Sequence, residues 1–275
     1  NCRKAACRSL SVVFFSFLLF VASFSSAFAQ QPGSREVKPP ALPKSATELL
    51  VDLNSLNPSV ASNAIVELKG LKIAPKDALP ALISALKNQS EFVRLGAVNA
   101  IAEYGLEASP ALNALLGALK DKDALVREAA ALAILGIGPS AKGSIPELAN
   151  LLNDDSKKTR EAAVTALSTF GIESVPSLIK SLESGNARVS VSAGEALARI
   201  GTPAVDQLVI SLKKGGVGSE NASLALAAIG KASVAPLIVL LKDSNPAISK
   251  RAGDTLAAIG TPAVPALIVP NPALN

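Results

Sequence analysis

Two glutamates and three arginines are the first places to look for chemistry in this 275-residue chain. Glu128 and Glu161 stand at equivalent points of two consecutive stretches of sequence. On stacked helices such points lie about 10 Å apart, which suits two catalytic carboxylates or a hard cation. Solvated helix charges are the commoner explanation, and the one adopted. Arg94, Arg127 and Arg160 also recur at equivalent points, with Asp121 and Asp154 in turns nearby. An arginine row can serve as a phosphate track or an acidic-partner groove, but here a structural role is favoured. The chain has no histidine, tryptophan or methionine, and both cysteines, Cys2 and Cys7, fall in its first 29 residues. Beyond that segment, histidine or cysteine metal sites and Ser–His or Cys–His nucleophile pairs are excluded. No Walker-type or dinucleotide-type glycine motif opens a helix. Gly215-Gly216-Val217-Gly218 has no strand before it and reads as a flexible loop between helices. No catalytic residue, no metal and no cofactor is expected.

The elements that position these residues form a repeat. Leu49, Leu82, Leu115, Leu148, Leu178, Leu208, Leu237 and Leu267 return every 29 to 33 residues. Four residues later come Leu53, Leu86, Leu119, Leu152, Leu182, Leu212 and Leu241. Leu50, Ile83, Leu116, Ala149, Ile179, Val209, Ile238 and Ile268 complete an i, i+1, i+4 stripe, as on a buried helix face. A glycine closes each unit: Gly70, Gly105, Gly138, Gly171, Gly201, Gly230 and Gly260. Eight residues before it stand Ala97, Ala130, Ala163, Ala193, Ala222 and Ala252, with Ser62 in the first unit. Five, four and one before it come an alanine column, an Ile/Leu column from Ile101 to Leu256, and Tyr104, Ile137, Phe170, Ile200, Ile229 and Ile259. Those offsets mark one face of a second helix, with the glycine as its left-handed end. Pro80, Pro146, Pro176 and Pro265 are expected in the first turn of the first helix. Asp121, Asp154 and Asp243 are expected to cap the second. Units of this period with two helical patterns mark an α-solenoid.

The Val-Arg-Glu-Ala-Ala run from Val126 to Ala130, its variant from Thr159 to Ala163, and the Gly-Thr-Pro-Ala-Val joints at Gly201 and Gly260 resemble HEAT repeats. They are most similar to the short bacterial-type repeats of phycobilisome lyases. The resemblance covers residues 45–268 and implies an all-α fold, a right-handed superhelical solenoid of about seven and a half helix pairs. It also implies a structural ladder of arginine and aspartate between neighbouring units, here Arg94, Arg127 and Arg160 with Asp121 and Asp154. The ladder lapses after Arg160, where Ser190, Ser219 and Ser249 take the position. Some HEAT-repeat enzymes bind iron through paired His-Glu motifs, which have no counterpart here.

Residues 1–29 are a different material. Arg3, Lys4 and Arg8 precede an apolar run from Leu10 and an Ala27-Phe28-Ala29 site, which reads as a cleavable signal peptide cut after Ala29. The destination is secreted or periplasmic, with no stable membrane insertion after cleavage. A retained anchor is the alternative. Without this segment and its three basic residues, the net charge falls from +5 to near +2. Residues 30–44, with Pro32, Pro39, Pro40 and Pro43, read as a proline-rich linker. Residues 269–275 form a tail, and the start on Asn1 together with an unpaired last helix suggests a fragment.

Outward positions of the second helices offer the candidate concave surface: Asn99, Glu128, Glu161, Thr165, Glu195, Arg199 and Glu220. Nucleic acid is disfavoured by the near-neutral charge and by the aromatics. Tyr104 and Phe170 sit in the core column and Phe92 before a helix, leaving no exposed aromatic platform. The expected function is an exported, non-catalytic scaffold that binds a protein or peptide along its repeats. The alternatives are an enzyme or enzyme subunit of the phycobilin-lyase-like class, or an accessory arm of a larger protein.

Overall fold

The computed structural model describes residues 44–265, apart from 56 and 72 and the side chains of 69 and 70. The expected signal peptide, the linker before Lys44, Leu267, Ile268 and the tail lie outside the described residues.

Helices come in pairs: α1 (Ala46–Asp52) with α2 (Pro58–Gly70), α3 (Pro75–Ala85) with α4 (Glu91–Ala102), and α5 (Leu112–Ala118) with α6 (Ala124–Ile137). Next are α7 (Ile145–Asn150) with α8 (Lys157–Thr169), and α9 (Val175–Leu182) with α10 (Ala187–Ile200). The last are α11 (Val205–Lys214) with α12 (Val217–Ile229), and α13 (Lys231–Leu240) with α14 (Pro246–Ile259). No strand occurs among the described residues. Each even-numbered helix packs on its own partner and on the even-numbered helix of the next pair, so this is an all-α solenoid.

The apolar columns drive that stacking. The leucines at 49, 82, 115, 148, 178, 208 and 237 are buried, as are the alanines at 97, 130, 163, 193, 222 and 252. Alanine lets the even-numbered helices approach, and Ile101, Ile134, Leu167, Leu197 and Leu226 fill the space beside them. Each buried leucine contributes about 1.5–3 kcal/mol before chain entropy is subtracted. The residue next to each column leucine is half-buried instead, Ile238 excepted.

Side chains fix the starts of the even-numbered helices other than α4 and α12. Asn57, Asp123, Ser156, Asn186 and Asn245 each accept a hydrogen bond from an N–H of the first turn. These are the N-caps. Asp121, Asp154 and Asp243, expected in that role, stand two residues earlier and accept instead from the N–H of the cap residue, at 2.8, 2.8 and 3.0 Å. They order the turn, not the helix end.

Joint length accounts for the change of period. A seven-residue 3-10 segment, Gly105–Ala111 or Gly138–Ser144, leads into α5 and α7, whereas Gly171–Ser174 and Thr202–Ala204 are shorter. Pro146 and Pro176 stand in the first turn of their helices. Pro80 lies inside α3, because that helix absorbs its joint and already starts at Pro75; Pro236 inside α13 repeats this.

Gly201 shows what the closing glycine does: its φ of 77° is a conformation that a side chain disfavours, and its N–H caps α10 on the Leu197 carbonyl. Gly70 departs from the column. It is the last residue of α2, whose cap Leu71 is extended. The first unit is therefore shifted by one, burying Ala61, Ala64, Ile65 and Leu68, with Ser62 only half-buried. Ile65 fits there because Gly96 on α4 lacks a Cβ, which would lie 2.7 Å from the Ile65 Cδ1. The glycine run after α11 is not a long flexible loop. Gly215 and Gly216 make a two-residue turn at φ 77° and 74°, and Val217 and Gly218 belong to α12.

Candidate functional site

The arginines point into the joints between units. Arg94 is 5% exposed. Its Nε and Nη2 grip Asp121 at 2.6 and 2.8 Å, and its Nη1 donates to the carbonyls of Asn88 and Gln89. Arg127 repeats the arrangement one unit on: Nε and Nη2 reach Asp154 at 2.6 and 2.9 Å, and Nη1 the carbonyls of Asp121 and Lys122. Each guanidinium thus stitches its own inter-helix turn and bridges to the next. The bidentate fork matches carboxylate geometry. Burial opposes the charge on Asp121 and Asp154, but the hydrogen bonds from the arginines and from the Asp123 and Ser156 N–H groups outweigh it. Both carboxyls therefore ionise below their ordinary value. Bonding to Asp121 and Asp154 raises Arg94 and Arg127 in turn.

Arg160 keeps half of this. Its Nη1 donates to the carbonyls of Asp154 and Asp155 at 2.7 and 3.0 Å, as in the two rungs before. Ser184 stands where the next aspartate would be, and accepts from the Asn186 N–H at 3.3 Å as Asp154 does from Ser156. A serine completes the turn but cannot reach back to the guanidinium. Among the described residues, no carboxylate meets the Nε and Nη2 edge of Arg160. Further along, the arginine position is taken by Ser190, Ser219 and Ser249, whose hydroxyls donate to the carbonyls of Ser181, Gly216 and Leu241. Units there are joined at the rim, by Lys213 to Asp243 at 3.2 Å and by Lys214 and Ser211 to Glu183.

The outward positions do face solvent. Asn99, Glu161, Glu195, Arg199 and Glu220 are exposed, and Glu128 and Thr165 half-buried. Glu161 reaches Lys157 one turn away at 3.6 Å. Arg199 donates to the Thr165 hydroxyl at 3.2 Å across units, and that hydroxyl donates to the Glu161 carbonyl. Among the described residues no three acidic, histidine or cysteine side chains gather as metal ligands would.

Three of these positions, Glu161, Glu195 and Arg199, come together. An open groove of about 540 Å³ between α8 and α10 is lined by Lys157, Arg160, Glu161, Arg188, Glu195 and Arg199. Thr165 adjoins it through Arg199, while Asn99, Glu128 and Glu220 belong to other units of the same face. A second groove of about 320 Å³, between α10 and α12, shares Val191, Glu195 and Arg199 and continues along Ala198, Leu224 and Ala228. Val191 and Leu224 are 50% and 63% exposed.

Sequence reasoning places Arg160 with the buried rungs, passes over Lys157 and Arg188, and puts Val191 and Leu224 on the outward face without counting them as site residues. The available signal was the missing aspartate at Ser184. Phe92 was also misplaced. It sits in the first turn of α4 and is 70% exposed, so one aromatic ring does face outward. Phe170 is buried, and Tyr104 donates its hydroxyl to the Ile73 carbonyl at 3.3 Å. The apolar stretch Ala124–Asn153 has the length and composition of a membrane span, but Gly138 breaks it into two solenoid helices.

The family model for HEAT repeats matches residues 46–135 and 145–217. No curated protein matches the sequence. Among solved structures, an engineered protein is 22% identical over 79% of this chain and 97% of its own, with a TM-score of 0.44. YibA of E. coli is 23% identical over 77% of this chain and 81% of its own, with a TM-score of 0.45. The karyopherin Kap121p bound to Ste12p is 16% identical over 81% of this chain and 34% of its own, with a TM-score of 0.35.

Proposed function

Since this chain belongs to the HEAT-repeat family, we propose that it is an exported, non-catalytic scaffold that holds a protein or peptide partner along the outward faces of its even-numbered helices. One observation carries the reading: those helices present a row of exposed positions, repeated unit by unit, while the packing residues and the first two ladder arginines are turned inward. A face of this kind is the extended surface that solenoids use for binding. Export is supported by the basic start, apolar run and Ala-x-Ala site of residues 1–29. The absence of histidine from the whole chain, and of cysteine beyond Cys7, supports binding over chemistry.

The test is site-directed photocrosslinking in a secreting host. A benzophenone side chain at Asn99, Thr165 or Glu220 should give protein adducts, and one at Val51, Ile210 or Val239 on the odd-numbered helices should not. Adducts confined to the second set would place binding on the other face and refute the reading.

A further inference from the structure

We propose that the two joined grooves across α8, α10 and α12 take an extended acidic–apolar segment of a partner protein. A side-chain carboxylate would sit on Arg160, and an apolar side chain would lie between Val191 and Leu224. This rests on the scaffold reading and supplies the chemistry of its partner.

The carboxylate follows from the interrupted ladder. Arg94, Arg127 and Arg160 all fix their Nη1 on two turn carbonyls, so the orientation of the guanidinium is set locally in each unit. In the first two units the remaining Nε and Nη2 edge holds a carboxylate bidentately. At Arg160 the same edge is preorganised and has no protein carboxylate, because Ser184 replaces the aspartate. A planar fork already held in place binds a carboxylate with little further loss of freedom. The surroundings favour an anion. Lys157, Arg188 and Arg199 line the same groove. Two of these cations are already paired, Lys157 with Glu161 at 3.6 Å and Arg188 with Asp155 at 2.8 Å on the rim, so Arg160 and Arg199, facing the one further groove carboxylate Glu195, carry the positive charge among the described residues.

The apolar half follows from exposure. Val191 on α10 and Leu224 on α12, one helical turn further along its helix, line the second groove together with Ala198 and Ala228. Glu195 stands at the seam of the two grooves and repels a second acid there, which fixes the order of the segment. Neighbouring repeats are about 10 Å apart and an extended chain advances about 3.3 Å per residue. One repeat therefore corresponds to about three residues of the segment.

The probe is a fluorescein-labelled peptide, Gly-Ser-Asp-Ser-Ser-Leu-Ser-Gly, titrated with the whole protein by fluorescence polarisation. Replacing its Asp by Lys, or its Leu by Ser, should weaken binding about tenfold or more, roughly 1.4 kcal/mol. Two protein variants test the site. Ser184→Asp gives Arg160 an internal carboxylate and should cut affinity for the Asp peptide to a similar degree with unchanged circular dichroism. Arg160→Lys keeps the charge, loses the fork and should also weaken it. Equal binding of the three peptides, no binding up to millimolar protein, or full binding by Ser184→Asp would each overturn the proposal. Displacement by millimolar inorganic phosphate but not by acetate would overturn the carboxylate assignment. If photocrosslinks persist at Asn99, Thr165 and Glu220 while the peptides fail, the scaffold reading stands and only this inference falls.

Discussion

Asp154→Ala should lower the stability of the protein by about 3 kcal/mol, the low end of the range for breaking a buried ion pair. The pair is well enclosed, with side-chain exposures of 17% for Arg127 and 8% for Asp154. Two charge-assisted hydrogen bonds, at 2.6 and 2.9 Å, disappear together, leaving Nε and Nη2 of Arg127 without partners at the α6–α8 joint. Water can reach the less buried guanidinium, which holds the cost toward the lower limit. A pair at the rim provides the contrast. Glu183 and Lys214 are 27% and 66% exposed, so Glu183→Ala should cost no more than about 1 kcal/mol. Urea melts followed by circular dichroism give the comparison. Solenoid arrays can lose two-state behaviour, so amide exchange in α6 and α8 should be read beside the midpoint. The pH dependence carries an independent signature. Asp154 ionises below its ordinary 3.8 in the fold, so the unfolded chain takes up protons more readily as the solution is acidified. Its contribution is whole above that value and is lost as pH falls through the folded pKa. The variant should lack that part of the acid-induced loss. A cost under about 1 kcal/mol, or no coupling between Arg127→Ala and Asp154→Ala in a double-mutant cycle, would refute the view that the ladder joins the units.

Ala163→Leu should destabilise by roughly 1–3 kcal/mol by overpacking a fully buried position, while exposed Glu161→Ala stays within about 0.5 kcal/mol; equal shifts in a denaturant melt would break the helical register. Ser174→Ala and Ser233→Ala should be neutral or slightly stabilising, since both hydroxyls are buried without a partner; a loss above about 1 kcal/mol in a thermal melt would contradict this. Gly201→Ala should cost about 1–2 kcal/mol, because its φ is 77°. Gly218→Ala should also destabilise in the same melt, because the new Cβ would lie 2.9 Å from the Glu183 Cγ and 3.4 Å from its Cα, and Ser211 and Lys214 hold that side chain. Protein recovered from a secreting host should begin at Gln30; N-terminal sequencing that finds residues 1–29 retained would replace a soluble product by an anchored one.

The solenoid was legible because its packing residues repeat. A buried leucine or alanine answers to the same neighbour in every unit, so a column of them reports a helix face directly. The features that were misread are ones where local geometry departs from the column. Gly70 sits one residue late because α2 runs on through it. Pro80 looked like a helix start because joint and helix are separate before Pro146 and Pro176 but fused in α3, as they are in α13. The aspartates looked like caps because they precede a helix. Only the hydrogen bonds show that Asp123, Ser156 and Asn245 make the cap and that the aspartates two residues before them hold the turn. The outward face was legible as a set of positions, since it is the complement of the buried one. Its grooves were not, because an opening such as that between α8 and α10 depends on how far two helices splay.

The arginine column shows why residue type alone does not locate a binding surface. Arg94, Arg127 and Arg160 hold the same position in the repeat, and all three make the same local bonds to turn carbonyls. What separates them is the residue that arrives from the next unit. Where it is Asp121 or Asp154, the guanidinium is saturated, its charge is compensated and nothing remains to attract a ligand. Where it is Ser184, the fork is equally rigid but only half occupied, beside a groove in which Arg199 also has no carboxylate partner among the described residues. A partner carboxylate at that edge would make the contact that Asp154 makes for Arg127, drawn from another chain. The same substitution that shortens the structural ladder thus creates a preorganised recognition element. It was visible in the sequence only as an aspartate missing from its place.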